Sequence, residues 1–534
     1  MSGYAQILNP GKTPQSEALF GRETEQVKNN AGGFVFQITP QQQLFRFLIM
    51  GSLGGSYYAS ERNLTKTNAD AVKQMILSNG AEAVKIIIDV SARGRAPKND
   101  AAIFALAIAA VHGSDETKTL AFDAIDQVCR IPTHLFQFIE AYQTLGGGWG
   151  RRMKRAISNW YLGRDPEALA HTMSKYQSRD GWSHRDVLRL SHPVAKDEAQ
   201  NDVFRWALDH NADFKTEGPA VDYLNAVNYL HLEGTTVEDV VKFINIFNFP
   251  REVVPTHMLK DKRIWEALLQ KMPVGAMIRN LGNMSACGLL TPMSEAAKLV
   301  TSKLNKEALV RGRVHPIQLL TAALTYKQGR GTMGGNVWTP VQTVNAALDE
   351  AFYNAFGAVE PHGKRVMVGL DISGSMHGGV VNGVAGLTPA VASAAMAMLT
   401  ARTETQYHMM GFGGTFVDLP FITKNASLTE VTNKTRTMNF GNTDCALPMI
   451  YALRNKIPVD MFQIYTDSET WCGGIHPSEA LKKYRQGMGI NAKLVVCGMV
   501  ANQFTIADPK DIGMMDVVGF DTAAPQIIHE FVKW

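Results

Sequence analysis

Three oxygen-bearing side chains follow the apolar stretch at residues 365–370: Asp371, Ser373 and Ser375, spaced at alternate positions in KRVMVGLDISGSM. The near-continuous apolar run is typical of a strand buried on both faces of a parallel sheet. Ligands of such sheets bind outside the carboxyl ends of the strands. One carboxylate and two hydroxyls on a tight turn suit a hard divalent cation such as Mg²⁺, which prefers oxygen ligands.

Two further candidate ligands lie later in the chain. Thr443 stands in FGNTDCALPM, and Asp467 ends another apolar run in MFQIYTDSETW. With Asp371 and the two serines, they resemble the metal-ion-dependent adhesion site of a von Willebrand factor A domain, so we expect a Mg²⁺ site. For DxSxS alone, a helix cap and a serine-rich turn remain an alternative.

Composition sets the class of protein. The chain has 534 residues, of which 45% are apolar and 19% charged, so we expect more than one folded domain. No segment approaches the ~18 consecutive apolar residues of a membrane span, and the N-terminus lacks a signal pattern. We therefore expect a cytoplasmic protein with no membrane partner. The five cysteines include no C-x-x-C pair, which predicts buried free thiols: Cys129, Cys287, Cys445, Cys472 and Cys497.

The periodicity divides the chain into three parts. Residues 1–33 carry several Gly, Asn and Pro and predict an arm or loops. Residues 34–360 carry apolar residues at three- and four-residue spacing, as in 69–77 and 101–111, and many short helices favour an all-α HEAT-like repeat domain. In residues 361–534, four predicted strands alternate with helices, which predicts an α/β doubly wound, mainly parallel sheet. The strands are 365–370, 406–412, 462–466 and 494–497; the helices are 389–403, 428–438, 446–455, 477–487 and 523–533.

Positive charge is concentrated in residues 147–189. This segment holds nine Lys and Arg against four Asp and Glu, a net +5, whereas the whole chain carries +4. Such a patch on a near-neutral protein indicates a polyanionic partner. Five aromatic residues lie among the charges, a mixture that single-stranded RNA-binding proteins use to stack bases: Trp149, Trp160, Tyr161, Tyr176 and Trp182. The alternatives are that the aromatics, Trp160 above all, are core and that the charges are a solvated face.

Long motifs in this order resemble the Ro autoantigen family, including its bacterial orthologues. They are GGWGRRMKRAISNWY, SKYQSRDGWSHRDVLRLSH, MPVGAMIRNLGNM, HPIQLLTAALTYKQGRG, GNTDCALPMIYA, VVCGMVANQFTIADP and VVGFDTAAP. The resemblance runs from about residue 29 to the C-terminus, and it covers a TROVE module followed by a von Willebrand A domain.

The resemblance implies a monomeric ring of helices whose ends are held together by the A domain. It implies that Y-like small noncoding RNAs bind the outer surface, and that single-stranded 3′ ends of misfolded noncoding RNAs thread a positive central hole. In bacterial relatives an exoribonuclease such as polynucleotide phosphorylase is tethered through the protein, and the A-domain resemblance implies that a partner protein's carboxylate completes the metal coordination. His184 in GWSHRD matches a histidine important for Y RNA binding. The further RNA-binding candidates are Lys175, Arg179, Arg185 and Arg189 in the same segment, and Arg151, Arg152, Lys154 and Arg155 nearer the ring surface or hole.

We therefore expect a non-catalytic RNA-binding scaffold that acts in noncoding RNA quality control. One alternative is a Mg²⁺-dependent nuclease or phosphatase using Asp371 and Asp467, with Asp444 and Glu469 nearby. Two-metal phosphoryl chemistry needs a denser carboxylate cluster and a base. A second alternative is a protein-binding adhesion or co-chaperone module, which the localised positive charge disfavours.

Overall fold

A computed structural model describes residues 12–51, 61–331, 335–356, 359–381, 387–438 and 441–533. The first eleven residues of the predicted arm, and the side chains of residues 61–66, lie outside this description. In the described part of the chain, no helix combines the length and the apolar character that crossing a bilayer requires.

The first part of the described chain is built mainly from helices. Proline at the first turn and a polar cap fix several starts; for example, Asp165 accepts a hydrogen bond from the backbone N–H of Ala168, and Pro166 follows it. The predicted helix 69–77 belongs to a longer helix that is kinked at Asn79. The helices are α1 Pro40–Met50, α2 Glu61–Ala92, α3 Asp100–His112, α4 Asp115–Asp123, α5 Ile125–Val128, α6 Pro132–Thr144, α7 Arg151–Leu162, α8 Pro166–Lys175, α9 His184–Ser191, α10 Glu198–Leu208, α11 Pro219–Tyr229, α12 Val237–Phe247, α13 Lys262–Lys271, α14 Val274–Ala286, α15 Glu295–Lys303, α16 Lys306–Arg311, α17 Pro316–Lys327 and α18 Gln342–Asn354.

Helices that are close in sequence pack against one another, and the series closes on itself. Nε2 of His315, just before α17, lies 3.1 Å from the carbonyl oxygen of Arg95, which follows α2. The side-chain amide of Gln318 donates to the carbonyl of Pro97 at 2.7 Å. Because more than two hundred residues separate these partners, early and late helices meet at one junction. This closure is the architecture expected of a helical ring.

The second part is a six-stranded sheet in the order β11-β9-β8-β5-β6-β7, parallel except for the edge strand β7. Alternate residues of β5 lie in two separate hydrophobic cores, Val366 and Val368 in one and Met367 in the other, because both faces are covered. The fold class predicted from the sequence is confirmed. The strands are β5 Val366–Asp371, β6 Tyr407–Phe412, β7 Phe416–Asp418, β8 Met461–Thr466, β9 Lys493–Gly498 and β11 Met514–Val518; the helices are α19 Gly374–His377, α20 Pro389–Thr403, α21 Leu428–Arg436, α22 Leu447–Arg454, α23 Pro477–Met488 and α24 Ala524–Lys533.

Part of the N-terminal segment, predicted as an arm or loops, forms a β-hairpin. Residues Gln26–Lys28 (β1) pair antiparallel with Phe34–Gln37 (β2), and β2 pairs with Phe504–Thr505 (β10) of the C-terminal domain. The prediction of loops for residues 1–33 is therefore wrong for β1. A hairpin of the N-terminal segment adds to a strand nearly 470 residues later in the chain. We call residues 13–33 the N-terminal strap.

Among the cysteines, Cys129, Cys445 and Cys497 are buried and Cys287 is partly buried, as expected of free thiols. The prediction is wrong for Cys472, which is exposed on a loop after β8.

Candidate functional site: a metal edge and a basic surface

Asp371 ends β5 and lies fully buried at the carboxyl edge of the sheet. Its Oδ1 accepts hydrogen bonds from the backbone N–H and the hydroxyl of Ser373, at 3.0 and 2.6 Å. Its Oδ2 accepts a hydrogen bond from the hydroxyl of Thr466, the last residue of β8, at 2.6 Å. Ser375 Oγ lies 3.1 Å from Ser373 Oγ. The three DxSxS side chains therefore form one cluster of oxygens.

The other two predicted ligands lie on neighbouring loops. Asp467 follows β8 directly, and the Ser375 hydroxyl lowers the pKa of its carboxyl against the larger, opposite effect of burial. Thr443 is 2% exposed, and its backbone carbonyl accepts from the N–H of Trp471 at 3.1 Å, which ties its loop to the loop after Asp467. In the described part of the chain, no hydrogen bond joins the Thr443 side chain to Asp371. All five predicted ligands are at least 96% buried.

We call the cluster of Asp371, Ser373, Ser375, Thr443 and Asp467 the metal edge. The two buried carboxylates in this cluster favour binding of a cation. Burial, and then repulsion from Asp467, raise the pKa of Asp371 to about 7, and burial raises the pKa of Asp467 to about 6. Neither carboxylate forms an ion pair with a described Lys or Arg. Within the described ranges, no group of three or more His, Cys, Asp and Glu side chains could hold a metal. A metal would therefore depend on the hydroxyl donors, and two buried carboxylates with three hydroxyls fit Mg²⁺.

The two extra carboxylates of the enzyme alternative are held by the N-terminal strap. Glu469 accepts hydrogen bonds from Asn30 Nδ2 at 2.6 Å and from the N–H of Ala31 at 3.0 Å, and burial raises its pKa to about 8. Asp444 Oδ1 accepts from Gln15 Nε2 at 2.7 Å. Sequence reasoning missed these strap residues because no local motif marks them.

The predicted RNA-binding cations lie mainly on α7, α9 and the hairpin of β3 (Ser178–Arg179) and β4 (Trp182–Ser183). Helices α7 and α9 pack together, and Ser158 Oγ donates to the carbonyl of Ser191 at 3.2 Å. Arg152 pairs with Asp115 at 3.1 Å and Arg179 with Asp180 at 3.4 Å. The other six Lys and Arg candidates form no ion pair with a described carboxylate. The exposed cations are Arg151, Arg152, Arg155, Arg179, Arg185 and Arg189, and the half-buried ones are Lys154 and Lys175.

His184 differs from its charged neighbours because it is 4% exposed. Its Nδ1 lies 2.9 Å from the hydroxyl of Tyr161, and its ring packs edge-on against Phe136. Burial lowers the pKa of His184 to about 3, so the imidazole is neutral at physiological pH. Its Nε2 makes no hydrogen bond to a described residue. The ring lines a recess of about 530 Å³ together with Trp206.

The five aromatic residues of the basic segment have different roles. Trp160 and Tyr161 are fully buried in the core, as the packing alternative holds. Trp149 and Trp182 are half-buried, with ring centroids 6.0 Å apart, and Tyr176 lies 5.0 Å from the Lys175 ammonium. Three aromatic rings therefore remain partly accessible beside the cations.

Comparisons with known proteins match two families along the chain. The TROVE domain family matches residues 27–225 and 249–328, and the Ro60 vWA domain family matches residues 365–532. RNA-binding protein RO60 of Deinococcus radiodurans is 40% identical over 100% of this chain and 99% of its own length. RNA-binding protein RO60 of Caenorhabditis elegans is 38% identical over 95% of this chain and 90% of its own.

The crystal structure of the Deinococcus radiodurans RO (RSR) protein matches with a TM-score of 0.70 and 39% identity, over 93% of this chain and 99% of that chain. A closed series of helices joined to a doubly wound sheet with a DxSxS edge defines a TROVE and von Willebrand A protein. The chain belongs to the Ro60 family.

Proposed function

We propose that this protein is a non-catalytic RNA-binding scaffold. Its basic surface takes Y-like small noncoding RNA, and its helical ring receives the single-stranded 3′ ends of misfolded noncoding RNAs. In this role it serves noncoding RNA quality control in the cytoplasm, as a monomer that presents RNA to an exoribonuclease. Support comes from the basic surface and from the relatives, which are named RNA-binding proteins.

The observation that carries the proposal is the pair of exposed arginines on α9, neither of which forms an ion pair with a described carboxylate. The helix begins at a Ser183 capping box, with Val187 and Leu188 buried on one side. Arg185 and Arg189 are one turn apart on the exposed side, a spacing that suits successive phosphates. A neutral His184 beside an open recess adds a site for an unstacked base next to the phosphate contacts.

The metal edge serves docking in this proposal. Asp371, Ser373, Ser375, Thr443 and Asp467 would hold Mg²⁺, which supplies a Lewis-acidic position for a carboxylate of a protein partner. The protein's own part is to keep the two carboxylates together in a buried site.

The nuclease or phosphatase alternative has weaker support. Phosphoryl transfer needs a base or further metal ligands near Asp371 and Asp467. The two nearby candidates, Asp444 and Glu469, already accept hydrogen bonds from Gln15, Asn30 and Ala31. The carboxylates of both residues therefore already hydrogen-bond the N-terminal strap.

The test measures binding of a Y-like small noncoding RNA to wild type and to Arg185→Glu/Arg189→Glu. We expect the variant to bind several-fold or more weakly while its circular dichroism stays unchanged. Arg436→Glu, an exposed arginine on α21, is the matched control and should bind as wild type does. Equal affinity of all three proteins would contradict the assignment. Shortening of the RNA in Mg²⁺ that Asp371→Asn abolishes would favour the enzyme alternative.

A further inference from the structure

The metal edge is contacted by the N-terminal strap as well as by its own domain. Gln15, fully buried, donates from Nε2 to Asp444 Oδ1 at 2.7 Å and to the carbonyl of Ile475 at 2.9 Å. Its Oε1 accepts a hydrogen bond from the hydroxyl of Thr470. Thr470 Oγ1 accepts from the N–H of Cys445 at 3.0 Å. One strap side chain therefore links the loop that carries Thr443 to the loop that carries Asp467.

A second strap residue hydrogen-bonds the loop immediately after Asp467. Asn29 is 4% exposed, and its Nδ2 donates to the carbonyls of Thr470 at 2.8 Å and Ser468 at 3.2 Å. Its Oδ1 accepts the N–H of Gly33 at 2.8 Å, so the turn of the strap is fixed by the same side chain. A Cβ at Gly33 would lie 1.9 Å from the carbonyl oxygen of Thr470, so the strap backbone lies directly against this loop.

A third contact comes from α1 of the helical part. Arg46 is 1% exposed, pairs with Asp516 at 2.7 Å and also hydrogen-bonds the side chain of Asn502. Asn502 Nδ2 in turn donates to the backbone carbonyl of Asp467. The backbone of one candidate metal ligand is therefore connected to a helix of the other domain through two side chains.

We propose that Gln15 and Asn29 are positioning residues for the metal edge, and that metal binding is coupled to docking of the strap on the A domain. This inference rests on the metal site of the proposed function. Mutating groups that orient metal ligands without touching the metal typically weakens metal binding by about 10- to 100-fold. Because coupling is reciprocal, a bound metal must stabilise docking of the strap by the same free energy by which the docked strap stabilises metal binding.

The first measurement is Mn²⁺ and Mg²⁺ affinity of full-length Gln15→Met and Asn29→Leu by isothermal titration, at a temperature where each variant is folded. We expect roughly tenfold weaker metal binding, the lower end of the usual loss when such orienting groups are removed. The matched control is Arg22→Gln, which breaks a strap contact to Asp508, away from the ligand loops. The control should keep wild-type metal affinity even if its melting temperature falls.

The second measurement uses wild type alone and does not depend on how a variant folds. Hydrogen exchange of the Ala31 and Gly33 amides, which donate to Glu469 and Asn29, should slow when MgCl₂ is added. Unchanged exchange with saturating metal, or equal metal affinity in wild type and both strap variants, would overturn the coupling alone. A wild type that binds neither ion would instead remove the metal site itself, and the coupling with it.

Discussion

Arg95 forms a two-point ion pair with Asp521, with Nε to Oδ1 at 3.0 Å and Nη2 to Oδ2 at 2.5 Å. Arg95 follows an early helix and Asp521 belongs to the α/β domain, whereas His315 precedes a late helix. Because Nε2 of His315 lies near the carbonyl oxygens of both Arg95 and Phe520, the three segments meet at one junction. Closure of the helical series therefore depends on a few polar contacts that involve the A domain.

Substituting Arg95→Leu should destabilise this junction strongly. Removing one partner of a largely buried ion pair costs about 3–5 kcal/mol because the remaining carboxylate keeps its burial without its countercharge. Thermal unfolding followed by circular dichroism measures the loss. Arg93→Leu, which removes an exposed arginine two residues away, should change stability by less than about 0.5 kcal/mol. Equal effects of the two substitutions would contradict the role of Arg95.

The pH dependence of stability should carry a contribution from His315. Burial lowers its pKa to about 4, below the ordinary value of 6.5, and its Nδ1 already accepts the N–H of Ile317. The unfolded state therefore binds more protons, so this stability is present above pH 6.5 and is lost as pH falls toward 4. Across this pH range the contribution of His315 to the free energy of unfolding falls by about 3 kcal/mol. His315→Gln should show a shallower loss of melting temperature between pH 6.5 and 4.5, and an unchanged slope would refute this account.

RNA affinity should depend on salt in proportion to the phosphate contacts. Replacing Arg185 by Gln should make the slope of log Kd against log salt shallower by about 1, because one fewer counterion is released. Fluorescence anisotropy with one labelled RNA between 50 and 300 mM KCl, as a rough working range, measures the slope. Arg436→Gln should leave it unchanged, and an unaltered slope in Arg185→Gln would place the phosphate contacts elsewhere.

His184 should act on RNA as a neutral group. Because burial lowers the pKa of His184 to about 3, this residue stays neutral as pH falls from 7.5 to about 5.5. Its protonation should therefore not raise RNA affinity in this range. His184→Leu should weaken binding of the Y-like RNA without changing the salt slope, because no charge is lost. An acid-dependent gain in affinity that disappears in His184→Leu would show that the imidazolium is the binding form.

Without a bound cation, repulsion between the carboxylates of Asp371 and Asp467 should destabilise the metal edge. Asp371→Asn removes one of two buried carboxylates, so the metal-free variant should melt no lower than metal-free wild type. Added MgCl₂ should raise the melting temperature of wild type and leave that of Asp371→Asn unchanged, because binding to the native state alone stabilises it. A similar Mg²⁺ effect on both proteins would exclude Asp371 as a ligand.

Patterns that are local in the chain could be predicted closely. Helix α20 has the predicted bounds, Pro389–Thr403, because Thr388 caps it and proline occupies its first turn. The four predicted strands of the sheet match β5, β6, β8 and β9 within one residue, because buried parallel strands are long apolar runs. The placement of Asp371 and Asp467 at strand ends likewise follows from the sequence, whereas Thr443 lies on the loop before α22. Strands β1, β2, β3, β4, β7, β10 and β11 were missed, since most are two to four residues long and carry too little alternation.

The sequence by itself determined the change from helices to an α/β sheet, the candidate oxygen ligands at the sheet edge and the concentration of positive charge in residues 147–189. Only the tertiary structure decided that His184 is buried and neutral, and that Gln15 and Asn29 reach the loops of the metal edge. The physical reason is the same in both cases. A buried polar side chain must find hydrogen-bond partners, and here those partners come from segments far away in the chain, which no local pattern specifies.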